Sequence, residues 1–189
     1  MDSALIISCL GKSVTYLTEI LAEASISDIT TVSNACEAKR LLIEKNFDLC
    51  IINAPLSDEF GESLAREIAA KETIEVILIV KSELLEEVAD RVEEYGVLTI
   101  GKPIGRQLFW NTLKIASATH KRIKAINNKK EQLIQKIEDI RIIDRAKCIL
   151  IAHHSITEPE AHRYLEKQAM DMRQTRRKVA EEILRIYEN

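Results

Sequence analysis

Five positions in the first half of the chain invite a chemical reading: Ser8, Cys9, Asn53, Val80 and Lys102. Each stands at or just past the end of a short apolar run. Carboxylates at such points would cage a divalent cation in hard oxygen ligands. None is present: the set offers a hydroxyl, a thiol, an amide, a branched alkyl group and one ammonium. An amide nitrogen is not a nucleophile at neutral pH, so Asn53 cannot carry a covalent intermediate. The Lys102 ammonium is expected to donate to the side-chain carbonyl of Asn53, a neutral substitute. A second set lies near the other end. Arg173, Arg176, Arg177 and Lys178 cluster, and Lys147, Arg163 and Lys167 lie on nearby segments. Such cations hold phosphates, and guanidinium planes stack on bases. His162 or Tyr164 offers a flat stacking face. Beside Leu165, however, Tyr164 is expected in a core, Ala169, Met170 and Val179 are expected to pack, and Arg185 suits a helix C-terminus.

The elements that must position the first set alternate in period. The runs 4–8, 29–33, 47–53, 75–80 and 97–101 are apolar or β-branched, as strands are. Segments 14–24, 35–45, 61–71 and 84–95 carry apolar residues at helical spacing. Five such units follow if the segment from Ile104 is the last helix. Fully apolar strands between helices imply a parallel sheet covered on both faces. In that architecture the crevice lies at the carboxyl ends of the strands. Those ends are Ser8-Cys9, Asn53, Val80 and Lys102.

After Pro103 the pattern changes. From Gln107 to about Leu150 there is no Gly, no Pro and no turn cluster. Ile123, Ile126, Lys130, Leu133, Ile137 and Ile140 follow a 3-4 spacing, the a and d sites of a coiled coil. Lys130 is a polar a residue of the sort that selects register and a low oligomer number. The reading is a parallel homodimer; one amphipathic helix packed within its own chain is the other. Carried backwards, the frame falls on Phe109, Thr112, Ala116 and Thr119. The last forty residues read as a small helical bundle. Segment 144–155 ends the long helix. Thr157 and Glu160 form a capping box with Pro159 in the first turn, and Thr175 opens a final helix over 175–189. The boundaries expected are 1–118, 119–143 and 144–189.

Composition narrows the class. Of 189 residues, 46% are apolar and 30% charged, which is globular, and Gly and Pro are scarce. Residues 1–103 hold 9 Lys+Arg against 19 Asp+Glu, a net of −10, while residues 104–189 hold 18 against 11, a net of +7. An acidic front and a basic back suit a polyanion met by the back alone, although solvated helix faces give the same count. None of the four cysteines stands in a CxxC pair, so reduced thiols are expected, with Cys9 and Cys50 in or beside buried strands. His153 and His154 are adjacent and cannot both ligate one metal from a helix, so no metal and no cofactor is expected. There is no basic n-region with a full apolar h-region, and no apolar run reaches membrane-spanning length. A cytoplasmic protein without membrane contact is expected. No catalytic triad or phosphate-binding Gly loop appears, so an enzyme is not expected.

The first 103 residues resemble a response-regulator receiver domain. The strand 4–9, the strand and loop 47–56, Gly61, the strand 75–80 and the closing Gly101-Lys102-Pro103-Ile104 carry the likeness. The resemblance implies a doubly wound α/β fold of flavodoxin-like type with a five-stranded parallel sheet. It also implies a kit for phosphoryl transfer: two acids, an acceptor Asp, a hydroxyl and a Lys. In this chain those places hold Ser8 and Cys9, Asn53, Val80 and Lys102, so only the Lys matches. The domain resembles a receiver with a degenerate phosphoacceptor pocket, not phosphorylated at Asn53. The C-terminal part resembles the ANTAR domain of bacterial antitermination regulators. Ala146-Lys147, Ile156-Thr157-Glu158, Glu160-Ala161, Leu165, Ala169-Met170 and Val179-Ala180 carry that likeness over about forty residues. Cys148, His162, Glu166 and Arg176 depart from the pattern. The resemblance implies a dimer that binds paired small hairpins in leader RNA and prevents termination, with a possible regulatory protein partner at the receiver. A dimeric interaction scaffold that has lost RNA binding is the alternative, suggested by Glu166 and Cys148.

Overall fold

In the computed structural model, which describes residues 1–71 and 73–187, the alternation of the first half becomes one sheet. Strands β1 (Ser3–Ile7), β2 (Asp28–Val32), β3 (Leu49–Asn53), β4 (Glu75–Lys81) and β5 (Leu98–Lys102) are all parallel, in the order β2-β1-β3-β4-β5. Helices α1 (Gly11–Glu23), α2 (Ala35–Glu44), α3 (Glu62–Ala69) and α4 (Leu85–Val92) make the crossovers, and α5 (Arg106–His154) follows β5. The expected helix over 84–95 keeps its α-helical middle only. Its ends tighten into 3-10 turns at Ser82–Leu84 and Glu93–Tyr95, a common form for helix termini.

The period of two explains the two-sided core. Leu5, Ile7, Cys50, Ile52, Leu78 and Val80 face α2, α3 and α4, and meet Leu64, Ile68, Val88 and Val92. Their neighbours Ala4, Ile6, Leu49, Ile51, Ile77 and Ile79 face the other way, against Leu17, Ile20 and Leu21 of α1 and Phe109 and Leu113 of α5. A strand buried on both faces has no polar side to show, hence the unbroken runs of Ile, Leu and Val. Burial also pushes the Cys50 thiol far up, so that it stays protonated. Cys9, expected beside a buried strand, is exposed, because β1 ends at Ile7 and the chain has already turned out of the sheet.

The first turns of α5 belong to this core. Phe109, Leu113 and Ala116 recur on one face and are buried under the sheet. The backward coiled-coil frame through Phe109 and Ala116 is therefore corrected: these residues pack within their own chain, and no seam starts there. Compact units divide at Met1–Ile126 and Asn127–Asn189. Beyond the division Leu133, Ile137 and Ile140 are exposed, as is Ile126 at it, while Ile123 is half-buried.

In the second unit, α6 (Glu158–Asp171) and α7 (Arg176–Tyr187) pack against the end of α5. Ala146, Leu150, Ala161, Leu165, Ala169, Val179, Ala180 and Ile183 form its core. The Glu160 carboxylate accepts from the backbone N–H of Thr157 at 2.8 Å and from its hydroxyl at 2.7 Å, which starts α6 as the capping box predicts. Thr175 Oγ1 accepts from the Lys178 backbone N–H at the start of α7. The last two residues of the expected final helix, 188 and 189, lie outside the described residues.

One titratable contact ties α5 to the amino edge of the sheet. His120 is buried, and its Nε2 lies 3.3 Å from Asp48 Oδ1 without an aligned hydrogen bond. Burial pushes the imidazole below its ordinary value, Asp48 and Asp2 pull it up, and the terminal amine and Lys124 push it down. Asp48 itself is raised by burial, yet the backbone N–H groups of Asp2 and Ser3 outweigh that and hold its carboxyl below the usual range. Both groups are depressed on folding, so both contributions are present at high pH and are lost on acidification. Stability of the first unit is expected to fall as pH drops below about 6.5, the unperturbed imidazole value. His120→Gln should flatten urea midpoints between pH 7 and 5 and leave the carboxylate titration at lower pH.

Candidate functional site

Parallel strands deliver Ser8, Asn53, Lys81 and Lys102 to one edge of the sheet. Asn53 closes β3 and is 2% exposed. Its Nδ2 donates to Ser8 Oγ at 2.9 Å, and the same oxygen accepts from the Leu10 backbone N–H at 3.2 Å. Its Oδ1 has no hydrogen-bond partner among the described residues. The expected Lys102–Asn53 bond is not the one formed. Lys102 Nζ donates to the backbone carbonyl of Ala54 instead, one residue further on. The lysine side chain crosses the edge of the sheet and meets the chain where it leaves β3. Burial lowers the Lys102 pKa and Lys81, its register neighbour, lowers it again.

Val80 is wholly buried in the core beneath α4 and takes no part in the pocket. The hydroxyl nearest it in sequence is Ser82, whose Oγ donates to the Lys102 carbonyl at 2.5 Å. Cys9 Sγ lies 3.2 Å from the Ser33 carbonyl. Gly61 holds a left-handed φ of +103°, and a Cβ there would sit 2.8 Å from Ile52 Cγ2, so only glycine lets α3 begin against β3. Asp58 was not singled out by spacing. Its carboxylate accepts from the backbone N–H groups of Ala35 at 2.9 Å and Cys36 at 3.0 Å, the open end of α2. The first of these bonds lowers its pKa, burial raises it and the second lowers it further. The clue was an acid in a loop with nothing apolar beside it, and such a clue names no partner.

The basic set divides. Lys147, only 15% exposed, bridges Asp144 at 2.8 Å and Glu158 at 2.7 Å, so it joins α5 to α6. Arg177 reaches Asp139 at 2.6 Å and Glu181 at 2.7 Å, and joins α7 to α5. Arg176 lies 3.2 Å from Glu166, which also meets His162 at 3.3 Å. The remaining four are exposed: Arg163, Lys167, Arg173 and Lys178. Arg163 and Lys167 stand one turn apart on α6, opposite its buried Ala161–Leu165–Ala169 stripe, with Met170 on the same side. Arg173, in the turn to α7, has φ +53°.

Two packing expectations are corrected here. Tyr164 is 45% exposed, since it lies about 100° around the helix from Leu165 and misses the buried stripe. Met170 is 78% exposed for the same reason beside Ala169, whereas Ala169 and Val179 are buried as expected. Tyr164 and Met170 add apolar surface among the exposed cations. Among the described residues no helix is long and apolar enough to cross a membrane, and no group of acids, His and Cys could hold a metal ion.

A receiver-like sheet followed by a helical module of this kind resembles a response regulator of the ANTAR type. Residues 131–184 match the ANTAR domain. The chain is 27% identical over 169 residues to the transcriptional regulatory protein PdtaR of Mycobacterium tuberculosis, covering 89% of this chain and 82% of that one. It is 32% identical over 93 residues to the aliphatic amidase regulator of Pseudomonas aeruginosa, covering 49% and 46%. The receiver domain of an HD-domain protein from Pseudomonas fluorescens superposes with a TM-score of 0.57 at 19% identity, over 67% of this chain and 92% of that one, which shows the fold.

The Ser8 hydroxyl satisfies one buried donor, the Asn53 amide, and one part-buried donor, the Leu10 N–H. Ser8→Ala is expected to cost about 1–3 kcal/mol, the penalty of leaving buried polar groups unpaired. The urea midpoint should fall with an unchanged slope. Adding Asn53→Leu should recover part of the loss, because the stranded amide goes with it.

Proposed function

We propose that this protein is an RNA-binding transcription antiterminator that works as a homodimer on paired small hairpins in leader RNA. The carrying observation is the ANTAR match over residues 131–184, where Arg163, Lys167, Arg173 and Lys178 are exposed to solvent, Arg163 beside the Glu160 carboxylate. Sequence in RNA is read mostly in unpaired loops, by stacking and base-edge hydrogen bonds, while cations hold the phosphates. Tyr164 supplies an exposed ring for stacking beside those cations. Bound hairpins would stabilise the antiterminator and disfavour the competing terminator. Lys147 and Arg177 serve the interface indirectly, by fixing the helices that carry it.

The homodimer reading rests on the exposed Ile126, Leu133, Ile137 and Ile140 at a and d spacing, with Lys130 at an a site and Ile123 at the start. Control by phosphate at Asn53 has no chemical basis, because no carboxylate stands at the end of β1 and the acceptor place holds an amide. A regulatory partner at the receiver-like domain takes over that role. A scaffold without RNA binding is the second reading, favoured by the capture of Arg176 by Glu166.

A gel shift of the full chain with a two-hairpin RNA separates the two. Binding that weakens steeply with salt is expected. Arg173→Gly is the informative variant, since glycine accepts the left-handed φ without strain and only the guanidinium is lost. It should keep the melting temperature or raise it, weaken RNA about fivefold, near 1 kcal/mol, and lower the salt slope by about one. No shift with any leader RNA, alongside a stable protein partner in pull-downs, would favour the scaffold. Treatment with acetyl phosphate and Mg²⁺ is expected to leave the intact mass unchanged; gain of one phosphate would sink the unphosphorylated reading.

A further inference from the structure

A cleft of about 330 Å³ opens at the carboxyl edge of the sheet, between the turn from β1 to α1 and the turn from β5 to α5. Lys12, Ser13 and Lys102 form its polar side, and Leu10, Tyr16 and Ile104 its apolar walls. None of the residues lining it is acidic. That is unexpected in a domain where acids outnumber bases by 19 to 9. Three of those nine bases gather at this edge, since Lys81 stands in register beside Lys102.

The placement of Lys12 works against folding. It sits in the first turn of α1, where the helix dipole favours anions and disfavours cations. No acid occupies that turn, and Leu10 at the cap offers no side-chain acceptor. Ser13 and Val14 N–H both donate to the Leu10 carbonyl, which leaves the Gly11 and Lys12 N–H groups as the helix-start donors without a partner in α1. Lys102 uses one of its three N–H donors on Ala54 and has two left. An anion seated here would relieve the repulsion between Lys81 and Lys102 and meet both Lys12 and the helix start. The apolar walls suit a ligand that carries more than its charge. Tyr16 Oη donates to the Ile104 carbonyl at 3.4 Å, so one wall is held to the segment that enters α5.

We propose that this cleft binds a small organic oxyanion, a carboxylate or phosphate monoester on a short apolar group, reversibly and without covalent transfer. Open sheets of this type take ligands at the carboxyl edge, and the turn after β1 that lines this cleft also borders the switch between β1 and β3. The volume is at the lower end for ligand pockets and equals roughly ten liquid waters, which limits the ligand to a small molecule. Nothing in the proposal depends on RNA binding, and the two are tested separately.

Isothermal titration of the full chain with phenyl phosphate, benzoate and inorganic phosphate, at constant ionic strength, is the test. One site per chain is expected for phenyl phosphate or benzoate, at least about tenfold tighter than inorganic phosphate. The stronger of the two organic probes identifies the headgroup. Lys12→Ala and Lys102→Gln should each weaken binding at least about fivefold, and Lys39→Ala, on α2, should not change it. Lys12 is exposed, so its variant folds even where the Lys102 variant does not. Three results would overturn the proposal: no saturable binding of either organic probe, equal affinity for inorganic phosphate, or affinity indifferent to Lys12→Ala.

Discussion

Every strand of the sheet runs in the same direction, and the rest of the first unit follows from that constraint. Parallel pairing needs a crossover after each strand, and the crossovers cover both faces with helix. Both faces are then apolar, so polar chemistry is confined to the two edges where strands begin and end. At the carboxyl edge stand Ser8, Asn53, Lys81 and Lys102; at the amino edge stand Asp48 and His120. The fold does not decide what is done at an edge. It only guarantees that residues from distant parts of the chain meet there.

What meets where β1, β3, β4 and β5 end is a set of neutral and cationic groups held by hydrogen bonds, the nearby Asp58 carboxylate being taken up by the start of α2. A metal-binding pocket of this shape would need acids kept apart by a cation, and would lose its order without the ion. The bonds from Asn53 to Ser8, Lys102 to Ala54 and Ser82 to Lys102 close the edge without one. The electrostatic sign of the edge is thereby reversed relative to the acidic domain around it. That reversal makes anions, not cations, the natural visitors.

The sheet, the crossovers, the capping box and the bundle core were legible because each rests on local period or local chemistry. Val76 to Val80 reads as a buried strand from its own composition, and Thr157 with Glu160 announces a helix start without reference to anything else. Partner choice by long side chains was not legible. Lys102 was expected at the side-chain oxygen of Asn53, and the packed backbone set the Ala54 carbonyl before it instead. Lys147 and Arg177 looked like surface cations until the acids of neighbouring helices were brought beside them. Tyr164 and Met170 were misjudged for a different reason. Each neighbours a buried residue in sequence, and in a helix the next residue points a quarter-turn or more away. Phe109 and Ala116 fit a heptad frame by spacing, but the sheet claimed them first.

Ile126, Leu133, Ile137 and Ile140 stay largely open to water in the single chain. In the proposed homodimer a second chain covers them, and that effect grows with the protein's concentration. The stretch of α5 between residues 126 and 140 would then be stabilised by mass action and not by a covalent mark. For a regulator whose acceptor place holds an amide, the rate at which the cell makes the protein becomes a quantity the protein itself can read.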